Sequence, residues 1–187
     1  RYTFLTGFEL DIDRFGRQVL LPKDRIRPEI RLGAVHFLSN KADHAAAKAE
    51  FMFKTEHHLR AGIDVLAHPF RALEHSGIRD YAELYRPVAE LLRASGTAAE
   101  LNFHHHNPAP DFFTLCLRLG VKISLGSDAH NLYETGELSP HLEFIKNIGY
   151  FDKITDILYM GPELHSARWK NGISGIKLAA HESGDSK

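Results

Sequence analysis

Short apolar segments that end in a potential metal-ligand side chain recur along this sequence. In chain order they lead to Glu9, to His36, to His68, and to the pair Asp128 and His130. Longer stretches of helical pattern separate most of them. Chains that alternate short apolar strands with helices build parallel sheets or barrels, and functional groups there lie at the C-terminal ends of the strands. The sequence therefore predicts an α/β fold with a site assembled at one end of its strands.

The clearest of these segments is the run from Ile123 to His130. On an extended chain, residues i and i+2 project from the same face. We therefore expect Asp128 and His130 to reach the same ion, with Gly126 allowing the backbone to bend tightly beside them. The structural alternative is that Asp128 caps a following helix and His130 is solvated.

Periodicity and composition predict the order of the remaining elements. Strands are expected at residues 2–12, 30–37, 63–68, 97–103 and 121–125, with a further short strand at 18–22. Helices are expected at residues 41–59, 81–94, 109–119 and 139–148. Pro87 is expected to kink or split the second helix. The polar composition of residues 182–187 predicts a frayed tail.

Composition excludes several classes of protein. The chain has 187 residues, of which 43% are hydrophobic and 25% charged, as is typical of one soluble domain. A net charge of −1 provides no overall basic field for nucleic acid or an anionic membrane. No apolar run reaches the roughly 18 residues of a transmembrane helix. The single cysteine, Cys116, is expected to pack as a small hydrophobic residue, which fits a reducing compartment, with the cytoplasm as the default.

Five short motifs follow one another in a fixed order. They are Gly7-Phe-Glu9, Gly33-Ala-Val-His36, Ala67-His68-Pro69, Glu100-Leu-Asn102 and Gly126-Ser-Asp-Ala-His130. In this order they resemble the PHP (polymerase and histidinol phosphatase) superfamily over residues 5–148. The resemblance implies a distorted (β/α)7 barrel whose strand ends hold two or three divalent ions, Zn, Mn or Fe, for phosphoester hydrolysis. It also implies the metal ligands, which are Glu9, His36, His68, Asp128 and His130, with Glu9 as the bridging carboxylate.

The family's first motif, a His-x-His pair on the first strand, is absent from this sequence. The resemblance then implies a single PHP-type domain over residues 1–187 that lacks its first strands. We expect an unpaired strand edge at residues 2–8, which a dimer or a retained N-terminal fragment would cover. The pair His104 and His106 has the His-x-His spacing, but it differs from the family's first motif in position and context.

Imidazole and carboxylate ligands without a thiolate suit Zn²⁺, Mn²⁺ or Fe²⁺. Two ions about 3.5–4 Å apart can activate a water and stabilise the leaving oxygen during in-line attack on phosphorus. In this scheme the catalytic residues are Asp128, His130 and His68. His68, His106 or an ordered water would protonate the leaving oxygen.

Three further side chains are candidates for binding substrate. Arg71 follows a strand end, where its guanidinium could hold a phosphate, although an ion pair with Glu74 is an equal alternative. Asn102 shares a strand face with Glu100 and could orient substrate or a metal ligand, while Glu100 would be a core-facing structural carboxylate. His106 is the third candidate.

Several of these residues also have structural interpretations. Glu9 could be an edge-strand carboxylate paired with Arg14 or Arg17. His57 and His58 are expected on an exposed helix face. The aromatic residues Phe103, Phe112 and Phe113 are expected to fill the core rather than to stack on bases.

The resulting hypothesis is a metal-dependent phosphoesterase that hydrolyses a small phosphomonoester, as histidinol phosphatase does, or a nucleotide phosphodiester. Its partner would be a phosphorylated small molecule, with no membrane and no indication of nucleic acid. One alternative is an amidohydrolase-like metal hydrolase, which would need a lysine or a further histidine pair. The other is a catalytically inactive, truncated PHP module that acts in binding.

Overall fold

A computed structural model describes residues 4–19 and 28–161 of the chain. The predicted tail at 182–187 and most of the predicted strand at 18–22 lie outside these residues. Gln18, which is described, forms an isolated antiparallel bridge with Ile12. Across the described ranges, no helix has the length and apolar character that crossing a membrane requires.

The described residues form a five-stranded parallel sheet flanked by helices, which confirms the predicted α/β class. The strands lie side by side in chain order. They are β1 Gly7–Leu10, β2 Ile30–Gly33, β3 Val65–Leu66, β4 Ala98–Asn102 and β5 Ile123–Gly126. Because all five run parallel, their C-terminal ends meet at one edge of the sheet. Among the described residues, β1 pairs with one strand, β2, and the expected unpaired edge at residues 2–8 remains a prediction.

Two strands, β2 and β3, end earlier than predicted. β2 ends at Gly33 and β3 at Leu66, whereas strands to residues 37 and 68 were expected. After β3 the backbone turns sharply, because His68 has φ = 29° and Phe70 has φ = 72°. His36 and His68, which the pattern assigned to strand ends, therefore lie in the turns that follow β2 and β3.

Four longer helices match the predicted segments. They are α1 His44–Arg60, α3 Tyr85–Ser95, α4 Pro110–Arg118 and α5 Ser139–Asn147. Pro87 lies in the first turn of α3, where its missing N–H has no helical partner to lose, and a separate 3-10 turn Ala82–Leu84 precedes it. The short helices α2 Arg71–His75 and α6 Ile154–Ile157 were not predicted, since so few residues show no helical period.

The two faces of the sheet differ in character. Leu66, Ala99 and Leu101 belong to the main apolar core. Phe112, Phe113 and Cys116 of α4 are buried in the same core, and Phe103 packs against it, as predicted. Burial raises the pKa of the Cys116 thiol to about 12. Glu100 and Asn102 alternate with these apolar residues along β4, so they project from the opposite face.

The prediction that His58 lies on an exposed helix face is wrong. His58 is fully buried, and its Nε2–H donates to the carbonyl oxygen of Ala34 at 3.0 Å. The buried face of α1 also carries Lys54 and Thr55, so apolar periodicity does not reveal which side of this helix packs inward. His57 is half-buried and bonds to the carbonyl oxygen of Phe53.

Candidate metal centre

Three of the predicted metal ligands lie together at the C-terminal edge of the sheet. Glu9 belongs to β1, His36 follows β2 by three residues, and His68 follows β3 by two. Glu9 Oε1 lies 2.9 Å from His36 Nε2 and 3.4 Å from His68 Nε2. Three neighbouring strands therefore each contribute one ligand-type side chain to a single cluster.

Backbone hydrogen bonds continue past the strand ends and fix this cluster. The N–H of Ala34 donates to the carbonyl oxygen of Leu10 at 2.8 Å, and the N–H of Ala67 donates to that of Gly33 at 2.9 Å. His68 comes next, and its N–H donates to Glu100 Oε2 at 2.7 Å. The left-handed turn at His68 thus has a specific partner on β4.

Glu100 is a buried carboxylate that stabilises the cluster by accepting a hydrogen bond from the backbone N–H of His68. It is 4% exposed, and its Oε2 also accepts a hydrogen bond from Asn102 Nδ2 at 3.1 Å. Burial raises the pKa of Glu100 to about 7. A Cβ atom on Gly126 would lie 1.9 Å from Glu100 Oε1, so glycine is the residue that leaves room for this carboxylate. Glu100 is buried, as a structural carboxylate would be, but it projects from the sheet face opposite the main apolar core and is therefore not core-facing.

Asn102 is placed to organise the protein rather than to face an open cavity. It is fully buried, and its amide nitrogen donates to Glu100. Its Oδ1 accepts the backbone N–H of His104 at 2.8 Å. Both ends of the amide are therefore bonded within the site, and a role in substrate binding would be indirect.

The carboxylates and imidazoles of the cluster shift one another's pKa values. Hydrogen bonds from His36 and His68 hold the pKa of Glu9 far below its usual value. Hydrogen bonds to Asp11 and Glu9 raise the pKa of His36 to about 9. Burial instead lowers the pKa of His68, whose Nδ1 is buried and receives no hydrogen bond from the part of the chain that the structure describes. The alternative pairing of Glu9 with Arg14 or Arg17 is not seen, since Arg17 bonds to Asp13.

These residues fit a divalent ion. Donor atoms around a four-coordinate zinc are about 3.4 Å apart, because Zn–N bonds are about 2.0–2.1 Å long. The separation of 3.4 Å between Glu9 Oε1 and His68 Nε2 equals this value, and the separation of 2.9 Å from His36 Nε2 is shorter. Two imidazoles and a carboxylate form the three-residue set of several catalytic zinc sites, which leave one position open to solvent or substrate.

Asp128 bonds to a cation of the protein. Its Oδ2 lies 2.6 Å from Arg71 Nη1 in a largely buried ion pair. Although burial opposes it, the hydrogen bond from Arg71 keeps the pKa of Asp128 below its usual value. The alternative in which Arg71 pairs with Glu74 is not seen between these two described residues, because Glu74 instead bonds to His106 and to Tyr81.

We expected Asp128 and His130 to project from the same face of an extended strand. That expectation is wrong, because the backbone after β5 is not extended. β5 ends at Gly126, and Asp128 has φ = 49° in the left-handed region. The turn directs Asp128 to Arg71, whereas His130 lies beside His104, with ring centroids 4.5 Å apart and an interplanar angle of 16°. Their predicted roles as metal ligands remain predictions.

An open cavity of about 210 Å³ borders the cluster. Its lining includes His36, Arg71, His75, His104, His105 and His130. His106 is not part of this lining. It is buried, with its Nδ1 2.8 Å from Glu74 Oε2, so it lies behind the cavity wall.

Some residues of the site were not identified from the sequence. Asp11 contacts His36 Nδ1 at 3.5 Å, and the period of two along a strand relates it to Glu9. His104, in contrast, was singled out by its His-x-His spacing with His106, and it lines the cavity. Glu134 reaches His130 through a loop that the sequence pattern did not predict.

No model of a known protein family matches this chain, and a search of curated proteins finds no match either. The functional conclusion therefore depends on the geometry described above and on the order of the sequence motifs.

Proposed function

We propose that this chain carries a metal-dependent phosphoesterase centre of the PHP type, and that its five-stranded sheet is part of a distorted (β/α)7 barrel. One observation carries the proposal. Glu9, His36 and His68 follow one another in the motif order and converge at the ends of three consecutive parallel strands, with donor atoms at metal-ligand spacing.

A divalent ion bound there would polarise a phosphoryl oxygen and lower the pKa of a water molecule. The residues of the chain supply position and charge. Glu9 and the two imidazoles would hold the ion, and Glu100 fixes the backbone of His68 by accepting its N–H. Arg71 lines the cavity beside them and presents a guanidinium to a phosphoryl group, while Asp128 holds that guanidinium in place.

The cavity supports a small substrate. At about 210 Å³ it is compact, and its polar lining consists of one guanidinium and several imidazoles. Such a lining suits a single phosphoryl group, which carries negative charge and several acceptor oxygens. We therefore propose a small phosphomonoester as the substrate, in preference to a phosphodiester within a polymer.

The test is hydrolysis of p-nitrophenyl phosphate and bis(p-nitrophenyl) phosphate by protein loaded in turn with Mn²⁺, Fe²⁺ and Zn²⁺. We expect activity on the monoester, and a loss of roughly 100-fold or more in His68→Asn, since changes around bound metals cost 10–100-fold even when they spare the ligands themselves. Asparagine tolerates the left-handed backbone at this position.

His44→Asn is the matched control, because His44 is exposed on α1 outside the cavity. It should retain full activity. Metal-loaded wild-type protein with no hydrolysis of either ester would contradict the proposal and favour a binding module. Equal activity in wild type and His68→Asn would exclude this cluster as the catalytic centre.

A further inference from the structure

We propose a second metal site, formed by His104, His130 and Glu134 beside the cavity that His36 also lines. It contains His130, which the motif order also implies as a ligand, but His104 and Glu134 lie outside that implied set, and the site does not depend on phosphoesterase activity. One potential ligand atom from each of the three residues lies within 4.8 Å of the other two. Both groups border the same cavity, whose lining includes His36, His104 and His130.

His104 is held at the end of β4 by buried groups. Its N–H donates to Asn102 Oδ1 at 2.8 Å, and its carbonyl oxygen accepts from Arg71 Nη1 at 3.4 Å. The side chain is 18% exposed. The main chain of this residue is thus fixed, while its ring reaches the cavity.

The loop after β5 folds Glu134 back toward His130. Asn131 Oδ1 accepts the backbone N–H groups of Tyr133 and Glu134, at 3.0 and 3.1 Å. Asn131 Nδ2 donates to Glu134 Oε1 at 2.7 Å, and the N–H of His130 donates to Glu134 Oε2 at 2.9 Å. The carboxylate is therefore oriented before any ligand binds.

The ring of His130 has a nitrogen available for an ion. Its Nδ1 lies 2.8 Å from the carbonyl oxygen of Asp128. A carbonyl oxygen only accepts hydrogen bonds, so Nδ1 carries the proton and Nε2 keeps its lone pair. Histidines that bind metals commonly donate their other ring N–H in this way, which fixes the tautomer and the ring orientation.

Two imidazoles and one carboxylate favour Zn²⁺ among the common ions. His104 Nδ1 lies 3.9 Å from Glu134 Oε2, somewhat beyond the roughly 3.4 Å of a tetrahedral zinc site. His130 and Glu134 lie on the same loop and are joined by the hydrogen bond from the His130 N–H, so zinc binding requires this loop to approach His104 as a unit. The same arrangement without an ion would be a stacked histidine pair beside a surface carboxylate.

The test counts zinc equivalents bound by metal-free protein after titration with ZnCl₂ and desalting, using plasma mass spectrometry. We expect two equivalents in wild type and the loss of one in His104→Ala. His105→Asn is the control: His105 is the next residue along and lines the same cavity, and asparagine suits its φ of 51°. It should keep both equivalents, and Glu9→Gln should lose the other one.

Unchanged zinc content in His104→Ala, or no zinc in wild type, would overturn the site. If Glu9→Gln keeps the full wild-type content while His104→Ala loses an equivalent, the second site stands and the centre at Glu9 does not. The site also stands if zinc binds as expected but no phosphoester is hydrolysed.

A second measurement uses the wild-type protein and does not depend on how a variant folds. Diethyl pyrocarbonate modifies accessible imidazoles, and peptide mass mapping identifies which ones. We expect ZnCl₂ to protect His104 and His130 at least several-fold while His105 reacts as before. Equal modification of all three with and without zinc would overturn the proposal.

Discussion

Replacing Gly126 by alanine should test whether the buried Glu100 carboxylate stabilises the metal centre, and it leaves every proposed ligand in place. The new Cβ atom would lie 1.9 Å from Glu100 Oε1 and 2.6 Å from Glu100 Cδ, closer than real Cβ atoms approach. The Gly126 backbone forms part of β5, so the Glu100 carboxylate has to move. Glu100 would then lose its hydrogen bonds to the N–H of His68 and to Asn102.

The cost follows from those two bonds. A hydrogen bond to a charged group contributes about 1.5–3 kcal/mol, so losing both costs about 3 kcal/mol at the lower end. Overpacking adds about 1–3 kcal/mol where the carboxylate cannot leave freely. We therefore expect Gly126→Ala to reduce the free energy of unfolding by about 3–6 kcal/mol, a large share of the usual 5–15 kcal/mol.

The assay is urea unfolding followed by circular dichroism, at pH 8 and with a chelator present. Burial raises the pKa of Glu100 to about 7. This value is still below the assay pH, so the carboxylate is largely ionised. Gly120→Ala serves as the control: it has a positive φ but open space around its Cα, so it should cost only about 1–2 kcal/mol.

A double-mutant cycle isolates the contact with Glu100. In a Glu100→Ala background the clash is absent, so Gly126→Ala should cost less than about 1 kcal/mol. An equal cost of Gly126→Ala in both backgrounds would refute the reasoning, because the penalty would then not come from Glu100.

Two further predictions concern groups outside this contact. Arg71→Leu leaves Asp128 without its cation and should cost about 2 kcal/mol in urea unfolding, less than for a fully buried pair; adding Asp128→Asn should recover most of the loss. A persistent loss in the double variant would show that packing of Arg71, not charge, is responsible. Cys116 should not react with thiol reagents at pH 8 until the protein unfolds, since it is buried and burial raises its pKa to about 12. Its folded pKa exceeds the unfolded value near 9, so this thiol should make stability fall as pH rises from about 9 toward 12. Rapid labelling of folded protein would contradict its burial.

The sequence predicted the parts of this fold that depend on strand and helix patterns. Apolar runs located the five described strands of the sheet, and the polar residues after them identified Glu9, His36 and His68. This worked because parallel strands bring their C-terminal ends to one edge whatever connects them. Alternation along β4 also separated Glu100 and Asn102 from the apolar residues of the core.

The errors lie where the chain leaves regular structure. Nothing in the run from Ile123 to His130 specifies the left-handed turn at Asp128, which directs its carboxylate to Arg71. The partner of Arg71 depends on the docking of α2, a helix too short to show a period. His58 was misplaced because the buried side of α1 is partly polar. Each of these outcomes is set by tertiary packing, which local pattern does not contain.

The most direct measurement of the central claim is the metal content per chain of protein purified without chelator, in wild type and in Glu9→Gln. Glu90→Gln, on the exposed side of α3, is the control. We predict that wild type and Glu90→Gln hold equal amounts of Mn, Fe or Zn, and that Glu9→Gln holds one equivalent fewer. The same metal content in all three proteins, or none in wild type, would contradict a metal centre at Glu9, His36 and His68.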